Sequence, residues 1–477
     1  MMSQSEKWWA LAFLVLAQFM IVLDVSILNV ALPSIQREFS LTVTNLQAIV
    51  TAYTLAFGGF LLLGGRAADL YGRRRVFLSG VIGFTSISLL IGIAQSETLL
   101  VPLRSLQGFS AAFMSPAALS IILTLFRERS ERTRALSMWG AVSAGGATVG
   151  LLLGGFLTEY LSWRWNFFVN VPIGIMIVIA ALRLVPAHAA EESDKTLDLP
   201  GAILATSGLM MLVHSLSKVG EWGWGSPTFF VWIGASITLL VAFIVNEWYA
   251  KHPLVPLSIF RIGNIAAANL AQLPITAAMF SQFFFLSLYI QNILHYTPLQ
   301  TGVAFLPSTL VVGMTAVLAP QLIKRIGYKP ILVATPLLLA CGLFIFAHLE
   351  INGTYLDFLP GLLVMAVGLG FTFVSITIAA TSGIPPQESG LASGLLSTAQ
   401  QMGGSIGLAV LSSIAASKSA EVLAGSQDPT ATISALLEGF HSAFYVGVCF
   451  AIVASLISLF FIRTGRALGT MVPALHP

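Results

Sequence analysis

About fourteen apolar blocks of roughly 19 to 24 residues recur along this chain, separated by short polar or Gly- and Pro-containing links. A block of that length crosses about 30 Å of hydrocarbon as a helix, and in hydrocarbon only helices and closed barrels satisfy their own backbone. The chain therefore reads as an all-α membrane protein. Composition agrees: 56% of the 477 residues are hydrophobic and 9% charged, against about 25% charged in soluble domains. The mean hydropathy is +0.88. The opening MMSQSEK leads at Trp8 into an apolar segment too long for the core of a signal peptide and without a small-residue cleavage site, so it reads as the first membrane helix.

The blocks centre near Phe19, Ala56, Ser86, Ala112, Gly146, Met176, Met210, Ser236, Ala278, Val311, Leu338, Gly368, Gln401 and Ala451. An even count puts both termini on one side. With the N-terminus in the cytoplasm, 18 of the 23 basic residues fall inside, among them Lys7, the Arg66 to Arg75 and Arg127 to Arg134 clusters, Arg183, Lys195 and the Lys324 to Lys329 cluster. Arg37, Arg164, Lys218 and Lys418 fall outside, and Arg104 lies within a helix. Cytoplasmic basic excess is the strongest sequence signal of orientation, so the expectation is a multi-pass protein of the cell (inner) membrane with both termini cytoplasmic.

Gly64-Gly-Arg-Ala-Ala-Asp-Leu-Tyr-Gly-Arg-Arg-Arg75, between helices 2 and 3, recurs more weakly as Gln321-Leu-Ile-Lys-Arg-Ile-Gly-Tyr-Lys329, between helices 10 and 11. Parallel six-helix repeats would shift such a turn by six helices, whereas here the shift is eight. The simplest organisation is a six-helix bundle over residues 1–186, two inserted helices with flanking cytoplasmic loops over 187–263, and a second six-helix bundle over 264–477. Loops near 186–199 and 249–263 would be hinges, and the longest loop would span about 415–440.

Several chemistries are missing. The net charge is only +3, with basic residues clustered at helix ends and no interleaved aromatics, which argues against nucleic acid. The two cysteines, Cys341 and Cys449, both lie in apolar stretches and supply neither a disulfide framework nor a thiolate metal site. No phosphate loop and no His-Glu-x-x-His motif occurs; the single Gly-x-Ser-x-Gly match, Gly403 to Gly407, lies inside an apolar helix rather than at a strand-to-helix turn. The expectation is no enzyme activity, no cofactor and no metal.

Asp24 stands in the middle of Phe19-Met-Ile-Val-Leu-Asp-Val-Ser-Ile-Leu28, the one acidic residue well inside an apolar block. A carboxylate there is costly, which points to proton handling or, more simply, to a charge that pins helices by pairing with a base. Arg104 is the one basic residue within a helix and falls at a compatible depth; Gln107, three residues on, shares its face and would relay a proton or hold Asp24 in position. A structural ion pair and a pair that breaks on protonation both fit.

Asp69 lies at a cytoplasmic turn beside Arg73, Arg74 and Arg75. It reads either as part of a topology anchor or as a contact to the N-terminus of helix 13, where the helix dipole would stabilise it by about 0.3 to 1 kcal/mol. Helix 5 carries Gly146, Gly150, Gly154 and Gly155 at small-xxx-small spacing, which suits either tight packing or a seam along which one half moves on the other. Gln18, Asn29, Asn170, Asn269, Gln272, Gln282, Gln400 and Gln401 are uncharged candidates for a cavity among Phe, Met and Trp, each singly as well explained by interhelical hydrogen bonding. Such a cavity suits lipophilic or cationic small molecules. Asp357, at the outer edge of helix 12, and Glu247, at the inner end of helix 8, read as substrate carboxylates or, more simply, as solvated charges at the membrane interface. No feature demands a protein partner: a monomer is expected, with an adaptor left open.

These residues carry a resemblance. Gly64 to Arg75 resembles the signature turn of the major facilitator superfamily; Leu23-Asp-Val-Ser-Ile-Leu-Asn-Val-Ala-Leu-Pro33, Arg104-Ser-Leu-Gln-Gly108 and Trp163-Arg-Trp-Asn-Phe-Phe-Val-Asn-Val-Pro-Ile-Gly174 resemble the helix 1, helix 4 and helix 6 motifs of its fourteen-helix drug:proton antiporter group. The match in order covers nearly the whole chain. It implies that Asp24 and Arg104, with Gln107, take part in proton coupling, and that Gly65, Asp69, Gly72 and Arg73 belong to a conformational latch. One departure is plain: in Gly146-Ala-Thr-Val-Gly150 the antiporter motif's following proline is replaced by Leu151. The function implied is proton-coupled export of amphipathic or lipophilic compounds by alternating access. Export of a lipid or natural product, proton-coupled uptake, and a non-transporting membrane sensor are the competing readings.

Overall fold

The computed structural model describes residues 3–126, 128–186, 197–385, 388–424 and 431–464. Among the described residues are 14 helices long and apolar enough to cross a membrane, and no strand. They are α1 Gln4–Phe39, α2 Val43–Tyr71, α3 Arg73–Gly92, α4 Glu97–Leu125, α5 Ser130–Tyr160, α6 Trp165–Leu184, α7 Leu199–Val219, α8 Pro227–Tyr249, α9 Ile265–Ile293, α10 Pro298–Ile326, α11 Tyr328–Phe346, α12 Tyr355–Thr381, α13 Gly390–Ala424 and α14 Ala431–Phe461. Each expected centre falls within its helix.

Local chemistry sets the ends. Ser3 and Glu6 form a capping box on α1, Thr297 and Gln300 another ahead of α10 with Pro298 at its first turn, and Ser226 caps α8 just before Pro227. The two halves of the sequence repeat are built alike. Gly72 joins α2 to α3 at φ +93°, and Gly327 joins α10 to α11 at φ +82°. With one residue between two helices, the chain reverses only through a backbone conformation that side chains resist, hence glycine in both copies.

The loop expected over 415–440 is corrected by the structure: α13 continues to Ala424 and α14 begins at Ala431, with 425–430 outside the described residues. The Ala- and Ser-rich sequence prolongs the helix, and Ser419 donates to the Ala435 carbonyl at 2.9 Å, tying the extension to α14. Most of the expected hinge at 186–199 also lies outside the described residues, as do Arg127, Lys195 and Arg466.

Helices α1 to α6 pack on one another, notably α2 on α4, α1 on α5, and α3 on α4 and α6; α9 to α14 do likewise, with α9 on α13 and α14 and α11 on α12 and α14. The two groups meet along α2 with α13, α5 with α10, and α1 with α9. Helix α7 packs on α8 and reaches both α2 and α13, where Leu209 and Val213 join Leu55 and Ala409 in one apolar cluster. Ser217 of α7 donates to Gln47 of α2 at 3.0 Å. Outward-facing Val231, Trp248, Val317 and Phe460 are 69 to 73% exposed, a surface suited to lipid rather than water.

Glu247 is not the solvated charge expected. It is 3% exposed at the end of α8, and its Oε2 accepts the Val255 amide at 2.8 Å, so the link toward α9 folds back over the carboxylate. Asp357 is the solvated one, completing a capping box with Thr354 at the start of α12.

Candidate functional site

Close approach of α2 to α4 organises the interior of the first half. A Cβ on Gly64 would run into the Ala112 carbonyl, and one on Gly108 into the Tyr53 carbonyl. Gly108 thus brings Tyr53 beside the turn of α4 that carries Arg104 and Gln107. Helix α1 supplies Asp24 from the facing side, seated by α5, whose Gly150 lies against Leu23 and Ser26.

Asp24 and Arg104 are each 1% exposed, and Arg104 Nη1 donates to Asp24 Oδ2 at 2.6 Å. Gln107 bridges them: its Oε1 accepts from Arg104 Nη1 at 2.5 Å and its Nε2 donates to Asp24 Oδ1 at 2.8 Å. Asn170 of α6 donates to Asp24 Oδ1 at 3.2 Å. Gln107 Nε2 also reaches Ser88 Oγ of α3 at 2.9 Å. Three hydrogen bonds, from α4 and α6, therefore reach the Asp24 carboxyl group, and Ser88 of α3 holds Gln107 from behind. The Arg104 guanidinium lies 4.4 Å from the centre of the Tyr53 ring and 5.6 Å from that of Phe167. Arg104 Nε and the Tyr53 hydroxyl have no hydrogen-bond partner among the described residues.

The two halves are tied at one end, the end bearing Gln36, Glu38 and Arg164 that the charge bias puts outside. Ser287, Gln291 and Asn292 of α9 donate to the Asn29 carbonyl, the Val30 carbonyl and Gln36 Oε1 at 2.8, 2.9 and 3.0 Å. Two of these residues ride on a π-helical turn, Tyr289–Ile293, that ends α9; such turns reorient side chains and recur at functional positions. The Leu299 amide donates to Glu159 at 3.0 Å at the same end. Contacts of α2 with α13 run through the middle, including Thr54 to Ser405 at 2.5 Å and Thr398 to the Gly58 carbonyl at 3.2 Å.

Asp24, Arg104 and Gln107 thus come together, and Asn170, expected at the cavity, joins them. Gln18, Asn29, Gln400 and Gln401 keep part of their surface accessible, with Gln18 accepting from Ser115 at 2.9 Å. Gln272 and Gln282 are 1% exposed inside the second half, each with its carbonyl oxygen unpaired among the described residues. Gly146, Gly150 and Gly154 face α1 of their own half, whereas Gly155 faces Pro298 and Leu299 of α10. Asp69 pairs with Arg73 at 3.4 Å across the Gly72 turn from α2 to α3, and its side chain is 52% exposed. Gly65 lies near Pro116 of α4. Among the described residues no group of three or more His, Cys, Asp or Glu is arranged to hold a metal.

A sequence profile described as Major Facilitator Superfamily matches residues 14–408, which includes every residue of the Asp24 cluster and α1 through most of α13. The chain belongs to the major facilitator superfamily. Similar superfamily proteins include a puromycin resistance protein of Streptomyces alboniger, 39% identical over 93% of this chain and 89% of that protein. A cephamycin export protein of Amycolatopsis lactamdurans is 39% identical over 86% and 85%. Among solved structures, an inward-facing, unoccupied bacterial homologue of the human lysosomal transporter Spinster superposes with a TM-score of 0.68, covering 97% of this chain and 98% of that one at 15% identity, a likeness of fold. The chain is a multi-pass membrane protein of a transporter superfamily, and its substrate is a small molecule.

Sequence reasoning missed Ser88, Tyr53 and Phe167. None has a local signature, since a serine in a membrane helix and an aromatic ring in an apolar run are ordinary. Asn170 and Phe167 do lie within the Trp163 to Gly174 segment that carries the superfamily resemblance.

Proposed function

We propose that this chain exports amphipathic or lipophilic small molecules in exchange for protons by alternating access, with Asp24 as the proton-binding group. The observation that carries the proposal is the carboxylate of Asp24, fully buried yet held by Arg104, Gln107 and Asn170. A buried charge inside a membrane bundle is costly and serves a purpose when its loss or gain alters helix contacts. Protonation of Asp24 removes the counter-ion of Arg104 and one acceptor shared by three donors, a change large enough to bias a two-state bundle.

In this reading the α1–α9 and α5–α10 contacts close the outer end, and Asp24 awaits substrate from the cytoplasmic side. A proton arriving from outside reaches Asp24 as substrate leaves. One proton moving through 100 mV supplies about 2.3 kcal/mol, enough for roughly a fiftyfold gradient. Gln18, Asn29, Gln400 and Gln401, which keep part of their surface accessible, are the polar groups assigned to meet substrate. Residues 1–186 and 264–477 are the moving halves and 187–263 an insert, carried at the α2–α13 seam. Gly65, Asp69, Gly72 and Arg73 form the cytoplasmic latch, engaged across the halves in the opposite, outward-open state.

Similarity to a cephamycin export protein supports a second cargo, a natural product of the cell itself. Proteoliposomes under an imposed pH gradient test the reading with ethidium as cargo. Proton flux opposite to ethidium in the wild type, lost in Asp24→Asn, is the expected result. Flux unchanged in that variant would remove Asp24 as the proton site.

A further inference from the structure

A proton on Asp24 creates a problem elsewhere. Arg104, an arginine and so a standing cation, is 1% exposed and loses its one acidic partner among the described residues when Asp24 is neutralised. Gln107 Oε1 remains as an acceptor, but a neutral amide does not cancel a buried charge. The groups facing Asp24 are Arg104 and Gln107 from α4, Asn170 from α6 and, through Gln107, Ser88 from α3. From α5, Gly150 lies against the flanking Leu23 and Ser26, and from α2 comes the Tyr53 ring beside the guanidinium. Of these only Arg104 and Tyr53 are charged or titratable, so no second carboxylate in this set takes over the cation.

What does face the cation is aromatic. The guanidinium carbon is 4.4 Å from the Tyr53 ring centre and 5.6 Å from the Phe167 ring centre, both within cation–π reach. Both rings are buried, Tyr53 at 0% and Phe167 at 1% exposure, where such attraction is strongest. Both are held in place. Tyr53 is set by the approach of α2 to α4 at Gly108, one turn from Arg104, and Phe167 packs edge-on against Trp163 at 6.1 Å. Trp163 is itself fixed by donating to Glu38 at 2.6 Å. The Tyr53 hydroxyl, without a partner among the described residues, contributes no hydrogen bond that would explain the ring's position.

We propose that Tyr53 and Phe167 form an aromatic cage that carries the Arg104 cation while Asp24 is protonated, and that this cage sets the pH at which the proton loads. The proposal rests on the reading of Asp24 as the proton site. Tyr53 and Phe167 are positioning residues: they act through Arg104. Their attraction matters most in the protonated state, where the cation has no anion. Removing a ring therefore disfavours that state, and a more acidic medium is needed to reach it.

The test is ethidium-coupled proton flux in proteoliposomes, recorded against external pH at fixed internal pH. Tyr53→Leu is expected to move the midpoint acidward by about one pH unit, the size of a tenfold change from losing a desolvated cation–π contact. Phe167→Leu is expected to move it less, in the same direction, because its ring is farther away. Tyr53→Phe keeps the ring and is expected to restore the wild-type midpoint. Phenylalanine progressively fluorinated at position 53 keeps the shape while weakening the ring's electrostatic face, and is expected to shift the midpoint stepwise toward acid, even should Tyr53→Leu fail to fold. A midpoint indifferent to fluorination, or moved as far by Tyr53→Phe as by Tyr53→Leu, overturns the cage. Asp24→Asn in the same assay separates the two claims: coupled flux persisting there removes the proton-site reading, while flux lost there with an unmoved midpoint in the ring variants removes the cage alone.

Discussion

Asp24 Oδ2 and Arg104 Nη1 meet at 2.6 Å, joining α1 to α4 across 80 residues of sequence at a point where neither side chain has contact with solvent. Such a pair gives little net stability when intact, because desolvation offsets attraction, yet it is costly to break from one side.

The first expected outcome follows from that asymmetry. Asp24→Asn or Arg104→Gln alone should destabilise the protein by about 3–5 kcal/mol, since each leaves one buried charge unpaired. The double variant should lose much less than the sum, as it leaves none. Thermal unfolding of the four proteins in detergent reads this cycle, and additive losses would mean that the charges do not act as a pair.

The outer closure should be trappable. Asn292 Nδ2 and Gln36 Oε1 are 3.0 Å apart. In a background with Cys341 and Cys449 replaced by serine, Gln36→Cys with Asn292→Cys should be bridged by a short bis-methanethiosulfonate reagent, which spans the gap the two longer side chains fill, and stop transport, and reductant should restore it. Transport that continues in fully cross-linked protein would show that the outer ends need not separate.

Gly72 should resist substitution more than its neighbours. At φ +93° a side chain is strained, so Gly72→Ala should cost about 1–3 kcal/mol in thermal stability, as should Gly327→Ala at φ +82°. Gly140, which has open space around it, provides the contrast: Gly140→Ala should be neutral or stabilising, because alanine favours a helix interior. Equal melting temperatures for all three would contradict the turn geometry.

Glu247 should act locally. Replacing it by alanine removes the acceptor of the buried Val255 amide, a loss of about 1–3 kcal/mol. Hydrogen exchange should accelerate at residues 251–262 while α1 to α4 keep their protection. Faster exchange spread evenly over the chain would mean that the link and α8 are not a separate unit.

The helices and the isolated charges were legible in the amino-acid sequence because each is a local property. Apolar length marks a spanning helix without reference to any neighbour, and Asp24 and Arg104 stand out because a charge in an apolar run is expensive wherever it ends up. Asn170 was legible only as a polar residue, equally suited to a cavity or to a buried network, and the structure puts it on Asp24. The glycines of α5 announced close packing without naming the partner: Gly150 meets α1 and Gly155 meets α10, five residues apart on one helix. The segment after Ala415 read as loop because Ser and Lys lower its hydropathy, yet helical hydrogen bonding continues past the apolar span.

By itself, then, the sequence determined that this is a membrane bundle, how many helices are long and apolar enough to cross, and which opposite charges must be accommodated inside. All of these are sums of per-residue transfer energies over a contiguous segment. Tertiary structure decided which helices touch: that Asn170 reaches Asp24 across 146 residues, that Tyr53 lies beside Arg104, and that α7 reaches both α2 and α13. Those contacts depend on the rotation and depth of each helix against several others. Lipid supplies almost no hydrophobic preference among apolar helix faces, so close packing and hydrogen bonds, properties of the assembled bundle, make that choice.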